Sequence, residues 1–202
     1  MRTGLAVLTL PVLLTGCSSA PAATSSAASS AAVSTVGPSL GPAAPVPSVS
    51  PADQATQYAS NTPPEAAKML CTEDVRGEVV AAALGVASVP APESSWADHV
   101  YTCTYALPMG RLVLAVTVTP GSDPARAALQ AMRGQLGATQ EEPGLGEQAY
   151  SAPGGTVIAV KDNMVLRVDA TGMPDGLGAA HEGRLDFARV VAAGVFTCWT
   201  GA

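Results

Sequence analysis

The stretch "HVYTCTYALPMGRLVLAVTVT", residues 99–119, decides the fold class. "HVYTCTYAL" and "RLVLAVTVT" alternate or run apolar on either side of Pro108, Met109 and Gly110, and that pattern predicts a β-hairpin. Successive strand side chains point to opposite faces, so Tyr101, Cys103 and Tyr105 share one face. Only 4% of the chain is aromatic, yet Trp96, Tyr101 and Tyr105 gather around this hairpin. They are the candidate surface for a ligand or a partner, with a plug between sheet and helix as the competing reading.

Outward from the hairpin the pattern alternates between helices and paired strands. Downstream, Asp123 and Pro124 open a helix whose stripe is Ala125, Leu129, Met132 and Leu136, ending before Gly137. "TVIAV" (156–160) and "MVLRVDA" (164–170) flank Asp162 and Asn163, which tolerate the left-handed conformation of a tight turn. "GEQAYSA" (146–152) reads as a further strand, and a last helix from about Arg184 carries Phe187, Val191, Val195 and Cys198 at helical spacing. Upstream, Thr62, Pro63 and Glu65 make a capping box. The helix behind it, broken once, runs to Gly85 with Cys71, Val75, Val79 and Ala82 on one face. The expectation is a single α+β domain: an antiparallel sheet of about four to five strands packed with about three helices.

The N-terminal part has another character. Arg2 precedes an apolar run from Leu5 to Leu14, about half of the ~20 residues that a spanning helix needs, which reads as a signal peptide. "LLTGCSS" (13–19) then resembles the lipobox of bacterial lipoproteins, with a large aliphatic, two small residues and Cys17. That resemblance implies cleavage after Gly16 and acylation of Cys17, and two or more acyl chains give stable anchoring. From Ser18 to about Asn61 the chain is nearly all Ala, Ser, Pro, Thr, Val and Gly, too poor in burial to offset its ordering entropy. The expected organisation is a signal peptide at 1–16, a lipidated cysteine and disordered tether at 17–61, and a globular domain at 62–202.

Charge and motifs narrow the function classes. Net charge is −6 with only ten Lys and Arg, scattered, which argues against a nucleic-acid partner and against electrostatic adhesion to anionic lipid. No paired-histidine zinc helix, Cys-x-x-Cys, Gly-x-Ser-x-Gly elbow or phosphate-cradling loop occurs, so no cofactor or metal is expected. His99, beside Asp98, reads as an exposed or strand-edge histidine, and His181 lies in a loop with Glu182. Asp123, Asp162 and Asp175 fall at turn or cap positions. Glu141 and Glu142 read as a solvated pair, and Met109 and Met173 as an extension of an apolar rim. Outside the cytoplasm one pair is expected among Cys71, Cys103 and Cys198, with one cysteine left over. Cys71 with Cys103 is favoured, and Cys71 with Cys198 is the rival.

"LCTEDVRGEVVAAALG" (70–85), "YTCTY" (101–105), "GLGEQAY" (144–150), "KDNMVLRVDA" (161–170) and the terminal "CWTG" (198–201) together resemble small actinobacterial lipoproteins grouped as a domain of unknown function. The resemblance implies an exported envelope lipoprotein on the outer face of the cell membrane, with a disulfide between Cys71 and Cys103, and supplies no activity. The function expected is a non-catalytic binding or sensor module for a small apolar ligand. An accessory protein–protein interaction module of the envelope is the alternative, and an uncharacterised enzyme ranks third.

Overall fold

Strands β2 (Val100–Leu107) and β3 (Gly110–Val118) pair antiparallel from Val100 opposite Thr117 to Leu107 opposite Gly110, leaving Pro108 and Met109 as the turn. In the computed structural model, which describes residues 50–178 and 183–200, this hairpin belongs to one antiparallel sheet. The other strands are β1 (Glu93–Ala97), β4 (Gln140–Glu141), β5 (Gln148–Ala152), β6 (Thr156–Lys161) and β7 (Met164–Gly172). Their spatial order is β1-β2-β3-β7-β6-β5-β4, two meanders joined where β3 meets β7. The helices are α1 (Pro51–Ala59), α2 (Glu65–Lys68), α3 (Ala82–Leu84), α4 (Ser122–Leu136) and α5 (Arg184–Thr200). Four to five strands and three helices were expected; among the described residues the α+β fold has a 7-stranded sheet and five α-helices. Cys17, the signal peptide and His181 lie outside the described residues.

The extra elements have physical causes. Asp98 (φ 50°) and His99 (φ 59°) are both left-handed, the requirement of the type I′ turn that joins β1 to β2. Helix α1 falls inside the expected tether: the Ser50 side chain caps it by accepting from the Asp53 N–H, and a proline opens its first turn. The folded part therefore begins upstream of Thr62.

The expected capping box does not form, because α2 starts at Glu65 behind Pro64, whose ψ of 154° is extended. A residue before proline is pushed out of the helical region, so Pro63 cannot begin a helix. After α2 the chain tightens into a 3₁₀ turn, Met69–Cys71, extends at Thr72 (ψ 165°), and resumes as a π-helix, Val75–Ala81, that leads into α3. The i→i+5 bonding of the π turn rotates the buried stripe onto Val75, Val79, Val80 and Leu84, and Ala82 faces out. Gly85, left-handed at φ 67°, ends the run.

The sheet is covered unequally on its two faces. On the inner face the segment 65–84 and α5 bury Tyr105, Leu112, Leu114, Leu166, Phe187 and Val191 in the main core. Helix α5 approaches the π-helix closely at Gly194, where a Cβ would lie 2.6 Å from Val79 Cγ1. On the outer face α4 sets Ala125 and Leu129 against Tyr150, Ile158, Val160 and Val165, all from β5, β6 and β7. The cluster under α4 includes no residue of β1, β2 or β3.

Candidate functional site

The aromatic set weighed as a binding surface or a core plug lies on the inner face. Tyr105 is fully buried and its hydroxyl donates to the carbonyl oxygen of Leu70 at 2.6 Å. Tyr101 is 9% exposed, and Trp96 is half-buried against the same core, its indole N–H donating to the Asn61 carbonyl at 3.1 Å. Between them Cys103 is bonded to Cys71, with Cα atoms 5.6 Å apart. Tyr101 and Tyr105 thus pack as the plug between sheet and helices that was weighed against the surface reading. Met173, 2% exposed, is core too, whereas Met109 at the β2–β3 turn is 39% exposed.

The candidate acid–base residues are scattered over structural ties. His99 stacks on Tyr58 of α1 with ring centroids 4.0 Å apart and meets the edge of Trp96. Its Nδ1 is buried with no hydrogen-bond partner among the described residues. Glu142 is no solvated residue, since Arg189 donates to its Oε1 through Nε (2.9 Å) and Nη2 (2.7 Å). Ser151 Oγ donates to that same oxygen. This cluster ties α5 to β5 through Glu142. Glu142 in turn keeps the Arg189 charge firmly in place, raising its pKa through the hydrogen bond. Asp162 holds Lys161 at 3.0 Å in the β6–β7 turn. Asp175 receives Nε and Nη2 of Arg184 at 3.0 and 2.9 Å, and these bonds lower its pKa to about 2. Among the described residues no group of three or more His, Cys, Asp and Glu side chains is placed to hold a metal, and no helix is long and apolar enough to cross a membrane.

A hollow of about 140 Å³ lies between Thr139, Ser151, Pro153 and Leu185, and another of about 120 Å³ opens under α4 at Met132, Leu136 and Arg167. A wide groove of about 460 Å³ runs between α1 and α2 over Pro63 and Pro64, lined by Thr56, Ser60 and Lys68.

A further candidate is the outer face of β1–β3, which lies beside the cluster under α4. Across it Ser95, Thr102 and Ala115 form one row, and Ala97, Val100 and Thr117 the row below. Above lie Glu93, Thr104 and Val113. The β2 and β3 members are half-buried and the β1 members exposed. Glu93 stands at the β1 rim and the exposed Arg111 at the β3 rim, and the Arg167–Asp169 pair on β7 closes the face toward α4.

No protein-family model matches the chain, no curated protein matches it, and no solved structure matches it. Thr102 and Thr104 alternate with Tyr101, Cys103 and Tyr105 along β2, so the strand gives one face to the core and the other to the outside. A field of Thr, Val, Ala and Ser can exclude water against a matching surface while its hydroxyls find hydrogen bonds there.

Proposed function

We propose that this chain is a lipid-anchored envelope protein, held by acyl chains on Cys17 to the outer face of the cell membrane, that works as a non-catalytic protein-recognition module. It would belong with the small actinobacterial lipoproteins it resembles. The signal peptide is proposed at 1–16, and the folded unit is taken to begin with α1 rather than at Thr62. The observation that carries the reading is the outer face of β1–β3, whose residues lie outside the cluster under α4 and whose charges stand at its rim. Interface cores are depleted of charge, and a partner closing on these rows would bury none.

A small apolar ligand has less support. Its natural place, between sheet and helices beside Tyr101 and Tyr105, is filled by those side chains and by Leu114 and Phe187. Nucleic acid is disfavoured as a partner by the net charge of −6. Native mass spectrometry of the full chain, released gently from membranes and compared with its denatured mass, tests the choice. A native mass equal to whole multiples of the acylated polypeptide is expected, and a reproducible extra small-molecule mass lost on denaturation would return the carrier reading to first place.

A further inference from the structure

We infer that the outer face of β1–β3 pairs with the same face of a second copy of this chain, a contact populated when both copies are anchored in one membrane. The inference deepens the recognition reading of this face and rests on it, and on the Cys17 anchor for its concentration dependence.

Charge placement selects the partner. Among the described cations, Lys68, Arg76, Arg126, Lys161, Arg167, Arg184 and Arg189 each hold a carboxylate, and Arg133 lies over the Tyr150 ring at 4.2 Å. Arg111 makes none of these described contacts, and it stands at one rim of the uncharged face. Glu93, one of several carboxylates in no described ion pair, stands at the opposite rim.

The register shows what a two-fold axis would do. An axis parallel to the strands and lying over β2 sets β1 of one copy above β3 of the other. Glu93 shares its row with Thr104 and Val113, so it would face Val113 of the second copy. Arg111 is two residues along the same strand, a displacement of about 7 Å at the usual strand rise. Across sheets packed ~10 Å apart, an extended arginine spans that offset. The operation is isologous, so the pair forms twice, and Thr104 meets Thr104 near the axis. The uncharged rows between the rims then close on one another with no buried charge.

Area sets the strength. Three strands ~4.8 Å apart and about 26 Å long offer roughly 750 Å² for both copies together, below the ~1,200 Å² of a stable interface. The contact is therefore weak in dilute solution. Confinement to one membrane raises the effective concentration of each face for the other.

The test uses the full-length chain, acylated in an exporting bacterial host, with a photo-reactive amino acid at Thr104 and, in a second variant, at the exposed Ser95. Irradiated membranes are expected to yield a product of twice the chain mass from either position. E93R or R111E should each lower that yield by roughly fivefold, and the E93R/R111E double variant should restore it. Absence of the double-mass product, crosslinking only to another protein or onto residues 18–49 of the same chain, or indifference to E93R would each overturn the inference. Fractionation of the same cells separates the two readings. A membrane-bound chain that does not pair sinks the self-contact and leaves the anchor standing. A chain found soluble sinks the anchor; pairing at raised concentration with the same charge rule then keeps the self-contact, and its absence overturns that too.

Discussion

The Tyr105 hydroxyl donates to the Leu70 carbonyl oxygen at 2.6 Å, two residues along the strand from the Cys71–Cys103 disulfide, so a hydrogen bond and a covalent bond fasten the 3₁₀ turn to β2 side by side. Tyr105→Phe leaves a buried carbonyl without its donor and should cost about 1–3 kcal/mol, read from urea unfolding. The variant also tests a pH dependence. Burial pushes the Tyr105 phenol above its ordinary range in the folded protein. The unfolded chain then releases the proton first, so stability is intact below about pH 10 and falls as pH rises beyond it. Wild type should lose stability more steeply than Tyr105→Phe between about pH 10 and 12, and parallel curves would contradict the assignment.

The Cys71–Cys103 bond closes a loop with sequence separation 32. In the chain-entropy model its removal costs about 3–4 kcal/mol, so a Cys71→Ala/Cys103→Ala variant should melt well below wild type. Alkylation without reductant should leave Cys71 unmodified, and a carboxamidomethyl group on it would refute the bond.

Asp175 and Arg184 make a bidentate exposed pair that joins the β7–α5 connection to the start of α5, and the Arg184 hydrogen bonds lower the Asp175 pKa from its ordinary 3.8 to about 2. A depressed carboxylate contributes stability above its unfolded pKa and loses it as pH falls through the folded one. Carboxyl-carbon NMR should place the Asp175 midpoint near 2 in wild type and near its ordinary value in Arg184→Ala. An ordinary midpoint in wild type would dissolve the pair.

Tyr58 stacks on His99 and fastens α1 to the β1–β2 turn. Tyr58→Ala should cost about 0.5–1.5 kcal/mol and raise amide exchange across 51–59, leaving α5 protected. Uniform exchange in both proteins would show that α1 is not part of the folded unit.

How far the sequence discloses this molecule depends on what each element uses to hold itself. The β2–β3 hairpin, α4 and the β6–β7 hairpin advertise themselves through apolar period and turn chemistry, and all three stand where those signals lie. Strand β1 carries two serines and one large apolar side chain, so backbone pairing and the Asp98–His99 turn hold it rather than hydrophobic alternation. Strand β4 is two residues long and pairs only with β5. Helix α1 is written in Ser50, Pro51 and Asp53, a cap set in a stretch whose composition reads as tether. The candidate site was half legible. Alternation tells which residues share a face, but only the placement of segment 65–84 and α5 decides which face becomes core.

The most direct measurement is carbene footprinting of the full chain in its own envelope against the same chain purified at low concentration. The outer-face residues Val100, Thr102, Thr104, Val113 and Ala115 should lose labelling in the envelope, while Val86 and Val190, exposed elsewhere at 40% and 45%, keep theirs. Equal labelling of the outer face in both states would mean that nothing docks there, and would contradict recognition through this sheet.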